Sequence, residues 1–254
     1  MKSDYKANME ETLENFKRWW NNEKWWQLTK NLTDKIGSFG LGKFFTTITD
    51  LNGSLNNLAS LRGNQSLLTD LIVNPKKVKH ACEKIVDTWL DCYEIICKIT
   101  TQYQPGSITW MGIWFPGRGS DLQSDFSAMI SPDIFQQYVI PDIKRQTEKL
   151  DQTLYHLDGP RQLGHAKHLL QIDELDGIQW VPGAGEQGVG SEKWFDLYEN
   201  IQSHGKKLIL HWMDKKKIKN VLKKLSHKDL LISTMVDSQD ETDQIINDSK
   251  NWVR

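Results

Sequence analysis

The sequence predicts an α/β fold built like part of a TIM barrel, on three observations. Short β-branched or aromatic runs alternate with amphipathic stretches about six times, which is the pattern of parallel strands joined by crossover helices. At 254 residues the chain suits one large domain of that kind, taken as 1–254. Neither a linker nor internal self-similarity divides it, so a solenoid is excluded.

The N-terminal segment, 1–40, reads as helical and Trp-rich. Phe16, Trp19 and Trp20 fall at helical spacing, with Trp25 and Trp26 after them, and such a stripe normally faces a core. Lys43 to Thr49 is β-branched and aromatic and reads as the first strand. A short helix follows, stopped by Gly63. Asn74-Pro75 then opens a long helix with an Asn cap and a first-position proline. Along it Val78, Cys82, Ile85, Trp89, Tyr93 and Ile96 recur at three- and four-residue steps. Ser107 to Trp114 reads as the second strand. Ser131-Pro132 opens a helix that Pro141 should split. Further strands are expected at Thr153–Asp158, Gly177–Val181, Lys206–Leu210 and Asp229–Thr234. Between them come helices to about Leu170, over Ser191–His204 with Gly205 as its stop, and from an Asp214 cap. Ser238 and Glu241 form a capping box for the last helix.

A closed barrel needs more strands than these. The barrel is therefore expected to be incomplete, with sheet edges near Lys43 and Asp229. An uncovered edge leaves unpaired backbone groups, so a homodimer or another partner over it is expected.

Composition narrows the function. A net charge of -1 gives no electrostatic footprint for nucleic acid. There is no basic, then apolar, leader, and no apolar run approaches the roughly 18 residues that span a bilayer. The expectation is a cytoplasmic protein without membrane contact. Cys82, Cys92 and Cys97 share one predicted helix and read as reduced core thiols.

In a barrel of parallel strands the ligand meets the C-terminal strand ends. The residues predicted there are Asp50 and Asn52 with Arg62 close behind, then Trp114, Arg118, Gln123 and Asp125, then His156 and Asp158, then Gln179 and Trp180, then His211 and Trp212, then Asp237. His156-Leu157-Asp158 is the sharpest signal, because positions i and i+2 of a strand share a face. The pair could serve as acid and base, could supply two metal ligands, or could simply hydrogen-bond each other. Arg62 could clamp an anion or end a helix in a salt bridge. The tryptophans could stack on a flat ligand or pack in the core. Gly183-Ala-Gly185-Glu-Gln-Gly188 has the GxGxxG spacing, but no helix opens inside it, and it reads as a loop at the mouth. The lysines at 215–217, 219, 223 and 224 read as the solvated face of a helix. His165 and His168 would need further ligands to hold a metal.

Several of these stretches resemble a known group. They are Asp50-Leu-Asn-Gly with Leu-Ala-Ser-Leu-Arg-Gly63, Ser124-Asp-Phe-Ser-Ala-Met-Ile-Ser-Pro132, Tyr155-His-Leu-Asp-Gly-Pro160, and Ile178-Gln-Trp-Val-Pro-Gly-Ala-Gly185. Together they resemble the uroporphyrinogen decarboxylase-like (URO-D) superfamily, nearest to an uncharacterised bacterial branch. The resemblance runs from about residue 40 to the end. It implies a TIM barrel and either corrinoid-linked methyl transfer to a small molecule or tetrapyrrole decarboxylation. It also implies a divalent metal such as zinc, or a corrinoid protein as partner. The decarboxylases carry an Arg-rich N-terminal motif that this chain lacks. The methyltransferases hold zinc with His-x-Cys and a later Cys; here stand His156-x-Asp158, and Ser233 to Asp237 without cysteine.

The resulting expectation is a methyltransferase-type enzyme. His156, Asp158 and Asp125 are its catalytic residues, with His156 and Asp158 as the metal ligands. Arg62, Asp50, Trp110, Trp114, Gln123, Gln179, Trp180 and His211 contact the substrate. The alternatives are decarboxylation, small-molecule binding without catalysis, and a truncated barrel that depends on a partner.

Overall fold

In a computed structural model, the described residues are Glu11, Glu14 and 24–252. The expected stripe of Phe16, Trp19 and Trp20 lies outside them. The chain divides into two compact units, Met1–Thr153 and Leu154–Arg254, so the boundary falls inside a strand.

The first unit is mainly helical: α1 (Lys24–Gly40), α2 (Ser54–Arg62), α3 (Asn64–Val73) and α4 (Pro75–Thr100). The 26-residue α4 is its spine, and all six periodic positions read from the sequence are buried on it. Asn74 does not cap α4 as expected. Its Nδ2 instead donates to Asp70 Oδ1 at 2.8 Å, the same carboxylate that pairs with Arg62. The three cysteines are buried free thiols, as predicted. After them come a hairpin of β1 (Ser107–Ile108) and β2 (Trp114–Phe115), then β3 (Gly119–Gln123), a 3-10 turn at Asp125–Met129, α5 (Pro132–Tyr138) and α6 (Ile140–Thr147). The helix break at Val139, just before Pro141, matches the expectation.

Two strand expectations are corrected here. Residues 43–53 form no strand. At Thr46 the Gln104 side chain takes the place of a partner strand: Thr46 N–H donates to its Oε1 at 2.7 Å, and its Nε2 donates to Thr46 O at 3.0 Å. A side chain that satisfies both backbone groups removes the need for a ladder. Ser107 to Trp114 is a reversal rather than one strand. Gly112 sits at φ 73°, a left-handed conformation that a glycine adopts without strain, and the chain doubles back into the β1–β2 pair.

The second unit carries β4 (Gln152–Asp158) from Leu154 onward, a 3-10 turn at Pro160–His165, α7 (Ala166–Leu169), β5 (Gly177–Val181) and a 3-10 turn at Glu192–Trp194. It continues through α8 (Phe195–Ser203), β6 (Lys207–Met213), α9 (Lys215–Lys224), β7 (Leu230–Thr234) and α10 (Gln239–Ser249). Pairing is parallel from β4 to β7, with His156 opposite Gln179 and Gln179 opposite Ile209. The five-stranded order is β3-β4-β5-β6-β7, which is open and ends on β7 as expected, but on β3 rather than near Lys43. Asp214 caps α9 by accepting from Lys216 N at 2.9 Å. The Ser238 cap is also present, though Glu241 returns its bond to Asp237 N at 3.0 Å.

One buried acid makes stability depend on pH. Asp142 on α6 is 5% exposed and accepts a hydrogen bond from Ser54 Oγ. Burial raises its carboxyl from the ordinary 3.8 to about 7, outweighing the Ser54 bond and the Arg145 charge, which lower it. A raised acid stabilises the fold fully below its unfolded value, and that contribution is lost as pH rises through the folded one. Asp142→Asn keeps the shape and removes the charge. It is expected to raise unfolding free energy at pH 8 by on the order of 2 kcal/mol, and to reduce the gain that the wild type shows between pH 8 and pH 5. Paired thermal melts at the two pH values check this, and a lower Tm for Asp142→Asn at pH 8 would contradict it.

Candidate functional site

The site in the second unit is a polar row across the C-terminal ends of β4 to β7. On β4 the strand alternation sends Tyr155 and Leu157 into the core, each 0% exposed, and leaves His156 and Asp158 half-buried on the other face. His156 and Asp158 do not hydrogen-bond each other. Among the described residues, the Asp158 carboxylate makes no hydrogen bond or ion pair with any group.

Register explains the neighbour of His156. Gln179 stands opposite it on β5 and is 2% exposed. Gln179 Nε2 donates to the Trp180 carbonyl at 3.3 Å, which turns its Oε1 toward the imidazole. His156 Nδ1 makes a short hydrogen bond with that oxygen. An amide oxygen only accepts, so Nδ1 carries the proton and the ring's lone pair lies on Nε2. This is how a metal-ligating imidazole is usually held.

A β-bulge sets the next member. Leu210 pairs with Ile232 and Met213 with Thr234, so two residues of β6 oppose the single Ser233 of β7. The extra residue forces Trp212 to φ 58° and leaves its ring 75% exposed. Trp212 N–H donates to Ser233 Oγ at 3.1 Å, and Ser233 Oγ lies 2.8 Å from His211 Nδ1. The hydroxyl accepts from Trp212 with one lone pair and can either donate to Nδ1 or accept from it with the other, so the contact fits both neutral tautomers of His211. His211 Nε2 is buried without a hydrogen-bond partner among the described residues. Burial first, and the charge of His156 second, lower the His211 pKa and keep the ring neutral. His211 Nε2 thus keeps hydrogen-bonding capacity.

Trp180, expected to contact the substrate, is packed in the core. It is 0% exposed and meets Trp194 edge-on, with centroids 5.1 Å apart and an interplanar angle of 60°. Strand alternation causes this, because Gln179 and Trp180 must face opposite ways. The GxGxxG stretch is a loop, with Gly183 and Gly185 at positive φ.

In the first unit, Asn56 holds the Asp125 loop. Its Nδ2 donates to Asp125 Oδ2 at 3.2 Å, and its Oδ1 accepts from Phe126 N at 2.8 Å. Asp50 and Gln123 engage each other, with Gln123 Nε2 at 2.9 and 3.0 Å from the two carboxylate oxygens. Arg62 Nε bonds Asp70 Oδ2 at 2.7 Å, the salt-bridge alternative. Trp110 and Trp114 are 42% and 46% exposed, and Trp114 Nε1 donates to Pro105 O at 2.9 Å. Arg118 and Trp114 precede β3, so neither stands at a strand's C-terminal end as expected.

Sequence reasoning missed Ser233, Asn56 and Asp121. Asp121 on β3 is 7% exposed, and burial raises its carboxyl to about 7. The signal for Asn56 was its four-residue step from Asn52 on a helix; the roles of Ser233 and Asp121 depend on a bulge and on a polar strand that the pattern did not reveal.

No helix among the described residues is long and apolar enough to cross a membrane. No family model and no curated protein matches the chain. A solved methyltransferase from Methanosarcina mazei is similar in fold, with a TM-score of 0.52 at 11% identity. The match covers 79% of this chain and 56% of that one, so the chain spans little more than half the length of that structure.

Proposed function

We propose that this protein binds a divalent cation through His156 and Asp158 and uses it on a small-molecule substrate, with methyl transfer as the reaction. The observation that carries the reading is the His156 Nδ1 bond to Gln179, which assigns the lone pair to Nε2. A further observation supports it: Asp158 is a half-buried carboxylate without a counter-charge of its own among the described residues.

One imidazole and one carboxylate make a harder donor set than a thiolate site. It suits a substrate that offers oxygen rather than sulfur. A bound cation lowers the pKa of an acceptor group and so makes it nucleophilic at neutral pH. His211 Nε2 exchanges a hydrogen bond with the substrate. Methyl transfer is preferred to decarboxylation because of the fold likeness to a methyltransferase. A corrinoid protein as methyl donor, and a partner or second copy over an open sheet edge, belong to the same proposal.

The experiment is equilibrium dialysis against zinc, followed by assay with a methylated corrinoid. Retention of one equivalent is expected. A protein that retains no zinc overturns the metal reading, and retention with no methyl transfer to any acceptor overturns the reaction.

A further inference from the structure

The second unit holds a groove on the face of β7 turned away from His211. Strand alternation sends Leu230, Ile232 and Thr234 to the groove as its floor and Ser233 to the other face, beside His211. Ile218 and Leu222 of α9, four residues apart, form one wall. Thr242, Ile245, Ile246 and Ser249 of α10, at three- and four-residue steps, form the other. The apolar face of a surface helix normally closes onto its sheet. Here it does not: no residue of α10 is buried, Ile246 is 53% exposed, and a space of about 420 Å³ stays open between the three elements. That volume is in the range of small-molecule pockets.

The lining restricts what the space accepts. Its side chains are aliphatic apart from three hydroxyls, and no lysine, arginine, histidine, aspartate or glutamate is among them. The hydroxyl hydrogens are already engaged. Thr234 Oγ1 donates to Met213 O at 2.7 Å, Thr242 Oγ1 to Ser238 O at 3.1 Å, and Ser249 Oγ to Ile246 O at 2.8 Å. Each oxygen can still accept, but it has no second hydrogen for a ligand. A carboxylate or phosphate would lose its water and find neither a cation nor a donor side chain, which selects against it. An ammonium group would find no counter-charge. An alcohol meets both conditions: its O–H has acceptors and its carbon chain has aliphatic walls. A floor with two walls also suits a slender chain better than the flat surface of another protein.

We infer that this groove binds an uncharged aliphatic molecule, a hydrocarbon chain bearing at most a hydroxyl-type donor, at a site separate from His156 and Asp158. The groove needs no cation, so zinc retention has no bearing on it.

The test is calorimetric titration of the full chain with 1-hexanol, 1-octanol and octanoate, on the wild type, on Thr242→Phe and on Ile246→Glu. The first substitution fills the groove with a ring, and the second sets a carboxylate in its wall. Both lie on a helix without a buried residue, so the fold should survive, which circular dichroism checks. One saturable site for 1-octanol is expected. It should bind about 15-fold more tightly than 1-hexanol, since each of its two extra methylenes is worth about fourfold. Octanoate should bind more weakly than 1-octanol by at least about tenfold, and either substitution should weaken 1-octanol by at least about tenfold. Absence of saturable 1-octanol binding, equal binding of octanoate, or unchanged affinity in the folded variants overturns the inference. If a variant unfolds, the comparison of 1-octanol with octanoate on the wild type still decides. Light scattering on the same samples reads the other occupant: a wild-type dimer that Ile246→Glu turns into a monomer would make the groove a protein interface and overturn the ligand.

Discussion

Zinc affinity is expected to fall by more than about 100-fold in His156→Ala, because the substitution removes a direct ligand, and even the groups that merely support such a ligand are worth 10–100-fold. The alanine also leaves Gln179 Oε1, 2% exposed as a residue, without the donor that His156 supplied. The fold should survive, since His156 is only half-buried and the strand's core residues are its neighbours Tyr155 and Leu157. Dialysis of folded His156→Ala measures the effect directly. Wild-type zinc affinity in that variant would mean that the imidazole is not a ligand.

The largest stability effect is expected at Trp180. Trp180→Ala empties a fully buried indole site beside Trp194 and should cost about 3–5 kcal/mol. Urea unfolding checks the value. The same measurement decides between the two roles that the tryptophan could have had. A core residue loses stability and leaves zinc affinity unchanged in the folded fraction. A loss below about 1 kcal/mol, accompanied by loss of ligand binding, would return Trp180 to the site.

Much of the second unit was legible in the sequence because its strands are short apolar runs bounded by turn residues. Thr153–Asp158 and Gly177–Val181 were read within a residue, and with them the pairing of His156 and Asp158 on one face. The position of β6 was found, but its bulge was not, since nothing in Leu210-His-Trp-Met213 distinguishes a regular strand from one with an extra residue. The first unit was harder. Gly119-Ser-Asp-Leu-Gln123 is a strand whose first four residues are buried although two of them are polar, so hydrophobic patterning passed over it. Lys43–Thr49 has the composition of a strand, but Thr46 at its centre exchanges both backbone bonds with the Gln104 side chain, 58 residues away. Composition reports what a segment prefers; it does not report which distant group satisfies its backbone.

The same limit applied to the site. The strand period brought out His156 and Asp158, but the tautomer of His156 depends on Gln179 in the next strand, and that depends in turn on the Trp180 carbonyl. Gln179 was named from its place at a strand end, as a substrate contact. The structure makes it the partner that orients the imidazole, a role only register can reveal.

X-ray absorption at the zinc edge of the loaded protein is the most direct test. One imidazole nitrogen and otherwise oxygen ligands, at about 2.0–2.2 Å and with no sulfur, is the result expected from His156 and Asp158 with solvent or substrate completing the set. A spectrum without imidazole scattering, or with a sulfur shell from the buried cysteines, would contradict it.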